Sequence, residues 1–285
     1  MKRAAHEQFA ALEREHWWFR GRRRVYLELL RGALGSRRLE RALDLGAGVG
    51  GWLEELSTVC GELHHTEIDA ESLALSSQRG LSRAVRARAE ALPYADRSFD
   101  LVCLFDVLEH VRDQEQVLAE VLRVLRPEGF ALLSVPAYPW LFSQNDRVAQ
   151  HLRRYTRASL CRELANADLQ LVRATYANCL LLPAIIPFVL ISEGARRMGL
   201  SSEDHGRTNL SVHMPRPLNE LCYRAFCSEL VLSRHLDLPC GHSLVAIAQR
   251  RDLGARPLLV HVAPARTLEP SPAPVSASYV RADPR

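Results

Sequence analysis

The chain has 285 residues, 47% of them hydrophobic and 25% charged, enough to bury one sizeable core with extra elements and too apolar for wholesale disorder. Its formal net charge of +4 rests on arginine, Lys2 being the single lysine, and no basic stripe interleaved with aromatics extends beyond "RGRRR" at 20–24, so nucleic-acid binding is not expected. The seven cysteines (60, 103, 161, 179, 222, 227, 240) are odd in number and contain no C-x-x-C spacing, which argues against a disulfide framework or a zinc site and for reduced thiols in the cytoplasm.

The first residues are charged and amphipathic and lack an apolar h-region, so export is not expected. Phe9, Leu12, His16 and Phe19 share one helical face, and Val25, Leu29 and Leu30 follow on a second helix. In "EHWWFRGRRR", the consecutive Trp17, Trp18 and Phe19 point about 100 degrees apart and cannot all face one core. Residues 1–38 are therefore read as a helical lid over a ligand site, with plain docking on the body or a dimer contact as alternatives.

After Leu39 strands and helices alternate. Strands are predicted at "RALDLG" (41–46), "ELHHTEI" (62–68), "RAVRAR" (83–88), "FDLVCLFD" (99–106), "FALLSVP" (130–136), "LQLVRATY" (169–176) and "HSLVAIAQ" (242–249). Helices are predicted near 49–58, 70–79, 113–125 and 156–167, which implies a parallel, doubly wound α/β sheet over 39–176 completed by a last strand at 242–250. Residues 177–241 form a helical cap insert with a helix around "LNELCYRAFCSELVLSRHL". Its apolar run "CLLLPAIIPFVLI" (179–191) is too short to span a bilayer, and Pro183 and Pro187 are expected to break a helix there. The run is core of the cap, a wall for a lipid-like substrate, or a contact dipping into a membrane surface. Residues 251–285 are rich in Pro, Ala and Ser and are expected to be a disordered tail.

The stretch "LDLGAGVGGW" (43–52) reads as a strand turning sharply into a helix. Gly46, Gly48 and Gly51 satisfy the dinucleotide fingerprint and Glu67 lies where a ribose-binding acid is expected, so the motif alone leaves an NAD-dependent oxidoreductase open. Asp44, two residues before the first glycine, would set like charge beside a pyrophosphate. S-adenosylmethionine keeps the ribose but replaces the phosphates with an amino acid and a sulfonium, and it tolerates that carboxylate.

Four stretches in order, "LDLGAGVGGW", "TEIDAESL", "AEALPYADRSFDLVCLFDVLEHV" and "VLRVLRPEGFALLSVP", make residues 41–136 resemble a class I S-adenosylmethionine-dependent methyltransferase of the broad group that includes ubiquinone and menaquinone methyltransferases. The resemblance implies a Rossmann-like seven-stranded sheet with S-adenosylmethionine as cofactor and no metal. It also implies that Asp44, Gly46, Ala47 and Gly48 hold the methionine part, Glu67 the ribose and Ile68 the adenine, with Asp69 capping the next helix. Where the family commonly has an adenine-binding Asp, this chain has Arg88, which cannot accept a hydrogen bond. The adenine then falls to the backbone around Ala89 and Glu90.

Acceptor chemistry is sought beyond the carboxyl ends of strands four and five. The first offers Asp106, on the cofactor side, with Glu109 and His110; the second offers Tyr138, Trp140, Asp146, His151, Arg153, Arg154 and Tyr155. His151 is the preferred base, with His110 second, since a neutral imidazole takes a proton near pH 7; pairing of His151 with Asp146 in a structural role is the competing reading. Arg153 and Arg154 are candidates for clamping an anionic group and Trp18, Tyr138 and Tyr155 for lining the substrate; His242 is read as a strand-end residue, with a place facing the acceptor pocket as the alternative. The expected activity is O-methylation of a small-molecule hydroxyl (sugar, phenol or quinone, on a lipid carrier or free). C- or N-methylation and a non-catalytic S-adenosylmethionine-binding protein are the alternatives. The location expected is the cytoplasm, with peripheral contact to the inner membrane face through 179–191.

Overall fold

A computed structural model describes residues 12–80, 83–198 and 214–251. The expected tail, the start of the lid segment and part of the cap lie outside these residues. The chain order is α1 (Trp17–Leu34), β1 (Leu39–Leu45), α2 (Leu53–Ser57), β2 (Cys60–Glu67), α3 (Ala70–Gln78), β3 (Ala84–Arg86), β4 (Phe99–Phe105), α4 (Gln114–Val124) and β5 (Leu125–Pro136). A 3-10 turn (Pro139–Leu141) leads to α5 (Gln144–Ala149), α6 (Arg157–Asn166), β6 (Leu169–Ala177), α7 (Leu182–Arg197), α8 (Arg216–Ser228), α9 (Leu230–Ser233) and β7 (Ser243–Arg250).

The seven strands form one sheet in the order β3-β2-β1-β4-β5-β7-β6. All seven predicted strands are present, and the first five pair in parallel. The expectation of a parallel sheet fails at β7, which runs antiparallel to both β5 and β6. Strand periodicity fixes which face a side chain takes but not the direction of its strand.

The central strands are apolar on both faces because helices cover both. Leu43, Leu45, Val102, Leu104, Leu133 and Val135 pack with Val117, Leu118 and Val121 of α4 and Leu160 and Leu164 of α6. Ala42, Leu101, Cys103 and Leu132 face the other way, toward α1, α2 and Phe226 of α8. By the same alternation Asp44 points into the α1 side, where it is buried.

The lid reading is corrected over α1. Val25, Tyr26, Leu29, Leu30 and Leu34 recur at helical spacing and dock the helix on the sheet. The break expected after Phe19 falls earlier, at His16, whose extended backbone caps α1 and whose Nδ1 accepts from the Trp18 N–H at 3.3 Å. The helix expected over 49–58 shrinks to Leu53–Ser57, because the glycine turn runs on to Trp52.

The cap is corrected as well: α7 continues through Pro187. Pro183 stands in the first turn, where its missing N–H has no partner to lose, and the carbonyl that Pro187 leaves unpaired is that of Pro183 itself. Leu182 and Val189 bury against Leu141, whereas Phe188, Leu190 and Ile191 are exposed, so this run is only in part the core of the cap. No helix among the described residues is long and apolar enough to cross a membrane.

Candidate active site

Strand order reverses between β1 and β4, and the crevice beyond their carboxyl ends is where ligands bind in such sheets. Gly46 leaves β1 with φ +75°, and a Cβ there would stand 2.7 Å from Val107 Cγ2, so the turn requires glycine. The N–H groups of Gly46 and Ala47 both donate to the Thr66 carbonyl at the tip of β2, at 2.8 and 3.0 Å. That tie brings Glu67 beside the turn. Its Oε2 accepts from the Gly48 N–H at 2.9 Å, and its Oε1 from those of Ile68 and Asp69 at 2.8 and 2.9 Å.

Glu67 therefore sits between the glycine turn and α3 with spare lone pairs for a ligand diol. Asp69 caps α3 as expected, accepting from the Ser72 N–H. Ile68 is exposed beside Glu67, and nothing stands within 4 Å of where a Gly48 Cβ would be. Asp44 is buried with Oδ2 unpartnered among the described residues, and His65 Nδ1 lies 3.7 Å from it. A ligand ammonium would satisfy that oxygen and a phosphate would repel it. Arg88 turns outward to Glu90 at 3.1 Å, and Ala89 packs against the core, so the guanidinium does not occupy the adenine side.

Across the crevice, Asp106 ends β4 in a left-handed conformation and pairs with Arg22 of α1 at 2.6 Å. Arg22 also donates to Ser134 Oγ, which donates to the second Asp106 oxygen. Arg22 is buried, so α1 forms a wall of this chamber. In the sequence it shows only as part of a basic run.

Beyond Asp106 the Glu109 carboxyl is fully buried with both oxygens unpartnered among the described residues. Burial, then the nearby Asp106 charge, pushes its pKa well above the usual carboxylate range. The rings of His110 and His151 meet edge to face at 4.8 Å. His151 Nδ1 lies 2.8 Å from Asp146 Oδ1, and its Nε2 faces Glu109 at 4.0 Å.

Asp146 is buried, which alone would raise its pKa. Hydrogen bonds from His151 and Arg154, joined by the Arg154 charge, instead hold it well below the ordinary range. Arg154 grips both carboxylate oxygens at 2.8 and 2.9 Å, and the Ser143 N–H and hydroxyl donate to Oδ2. An ionised Asp146 accepts from Nδ1, which turns the Nε2 edge of the imidazole toward Glu109.

Several expected substrate residues are reassigned by these contacts. Arg154 is no anion clamp, since Asp146 and the Ala137 carbonyl take its donors. Tyr155 is core, 1% exposed, and its hydroxyl accepts from Gln114, which also accepts from Arg153. Tyr138 stacks on Tyr176. Trp18 is half-buried, stacked on Phe226 and edge-on to His242 at 5.2 Å, which brings His242 to the chamber.

Burial, then the Arg154 charge, pushes the His242 pKa down to about 3. A base whose folded pKa is depressed contributes stability above its unfolded value, near 6.5, and loses it as pH falls toward the folded value. Unfolding free energy should drop between pH 6.5 and 3, and a His242→Gln variant should remove on the order of 5 kcal/mol of that drop. Urea titrations at successive pH values check this; parallel curves for the two proteins would remove His242 as the source.

Residues 43–133 match the family model described as a methyltransferase domain. Over 131 residues the chain is 31% identical to the ubiquinone/menaquinone biosynthesis C-methyltransferase UbiE of Vibrio vulnificus, a match covering 41% of this chain and 50% of that one. The chain thus spans about half the length of the curated relatives it matches. Among solved structures, the YcgJ protein of Bacillus subtilis superposes with a TM-score of 0.52 at 18% identity, over 80% of this chain and 98% of that chain. Geranyl diphosphate C-methyltransferase from Streptomyces coelicolor, solved with Mg2+, geranyl diphosphate and S-adenosyl-L-homocysteine, gives a TM-score of 0.51 at 16% identity, covering 79% and 78%. Sheet order, tied glycine turn and matched segment agree in likening residues 43–133 to the methyltransferase domain of class I, S-adenosylmethionine-dependent enzymes.

Proposed function

We propose that the protein methylates an oxygen of a small-molecule acceptor, with S-adenosylmethionine held by the backbone of Gly46, Ala47 and Gly48, by Glu67 through the ribose and by Ile68 at the adenine. The cofactor supplies an electrophilic methyl group on a sulfonium. The protein's part is to hold the acceptor atom in line behind that methyl and to remove a proton from it. The observation that carries the reading is the Asp146–His151 pair beyond β4 and β5, whose buried carboxylate orients the imidazole through Nδ1 and turns its Nε2 edge away. Trp18, half-buried against Phe226 and His242, is the aromatic nearest the acceptor, and the exposed Phe188, Leu190 and Ile191 of α7 suit a lipid-like tail or a membrane surface.

C-methylation is the second reading, favoured by the similarity to a quinone-pathway C-methyltransferase. Incubating the protein with cell extract and 13C-methyl S-adenosylmethionine, followed by NMR of the labelled products, separates the two by the carbon shift of the new methyl. Label on carbon replaces the first reading with the second; label on no small molecule overturns both. Glu67→Ala should weaken S-adenosylhomocysteine binding by about 1.5–3 kcal/mol, the worth of hydrogen bonds to a charged group. Calorimetry showing unchanged affinity would remove Glu67 from the cofactor site.

A further inference from the structure

We propose that Glu109, His110 and His151 bind a divalent transition-metal ion on the acceptor side of the crevice. Each offers one ligand atom, and the three atoms lie within 4.8 Å of one another. Around bonds of about 2.0–2.2 Å, ligand atoms stand roughly 3–3.5 Å apart, so closure needs a shift of about 1 Å per side chain.

Two features beyond the clustering point to a cation. A fully buried carboxyl with neither oxygen hydrogen-bonded among the described residues is costly, and a bound cation removes the cost. His151 gives its Nδ1 to Asp146, the arrangement in which a carboxylate orients a metal-binding imidazole and sharpens the donor at Nε2. Asp146 is in turn fixed by Arg154, so the imidazole is preset rather than recruited. His110 is exposed and gives an ion a way in. The sequence hides the set, because residue 151 is far from 109 and 110 and no cysteine takes part.

Two imidazoles and one carboxylate suit Zn2+ or Fe2+ better than Mg2+, which prefers oxygen ligands. Three protein ligands leave a position open for an acceptor hydroxyl. This role, though not the binding, rests on the methyl-transfer reading. Bound there, the hydroxyl gives its proton to water. The oxygen then bonds to the methyl carbon as the carbon–sulfur pair returns to sulfur. The ion takes the same Nε2 that otherwise accepts the proton, so ion and free imidazole are alternative routes to one oxyanion.

The test is Zn2+ uptake by the full chain without S-adenosylmethionine, after chelator treatment, in a Cys179→Ser/Cys240→Ser background, because those sulfurs lie 3.3 Å apart and could take zinc themselves. One equivalent is expected. Asp146→Asn should lower the affinity about 10–100-fold and Glu109→Gln at least as much. His110→Gln, at an exposed position, should do the same without risk to folding, and S-adenosylhomocysteine binding monitors the fold of each variant. No uptake, undiminished uptake in His110→Gln and Glu109→Gln, or a thiolate charge-transfer band with Co2+ overturns the site. Because uptake is read without the cofactor, it can fail while methyl transfer stands, and the reverse.

Discussion

Replacing His151 with alanine lowers methyl transfer by about 10²–10⁴-fold and leaves affinity for S-adenosylhomocysteine unchanged. The separation follows from position. His151 belongs to the loop after β5 and contacts Asp146, His110 and Glu109, whereas the proposed cofactor contacts come from the tips of β1 and β2. Steady-state rates with calorimetry on the same preparation check it. An equal loss of both quantities would mean that His151 only braces its loop.

The second large effect is on stability. Asp146→Asn should cost about 3–5 kcal/mol, the range for removing one member of a buried ion pair. The Arg154 side chain is 5% exposed, and its guanidinium would be left facing a neutral amide with no charge to balance it. The amide would also replace one of the two acceptor oxygens with an NH2, set against either the Ser143 donors or His151 Nδ1. Urea denaturation monitored by circular dichroism measures the loss. A double variant, Asp146→Leu with Arg154→Met, should recover much of it, because an apolar pair replaces an ion pair at little net cost. A loss under about 1 kcal/mol in the single variant would show that solvent screens the pair.

How much of this was legible in the sequence depends on how local each feature is. The glycine turn and Glu67 lie within 25 residues and follow from one strand-turn-helix motif, and the strands declare themselves as short apolar runs bounded by polar turns. The antiparallel course of β7 has no local signature, since a strand buried on both faces looks alike in either direction. Pro187 misleads because a helix tolerates proline near its start, and the sequence does not reveal where that start lies. Arg22 joins Asp106 and Ser134 across 84 and 112 residues, and His242 meets Trp18 across 224, so only the folded sheet assembles the chamber. The Arg154–Asp146 pair takes the arginine out of the clamp candidates, because burial beside a carboxylate is a property of the folded loop and has no mark in the sequence.

The placement of β7 also bears on biosynthesis. Its slot lies between β5 and β6, so residues 243–250 must leave the ribosome before β6 can pair at all. Until then β5 presents a bare, apolar margin and the 29 residues from β6 through the first cap helix have no sheet to join, a window in which a holdase or a slow codon run would protect the nascent chain from pairing with its neighbours.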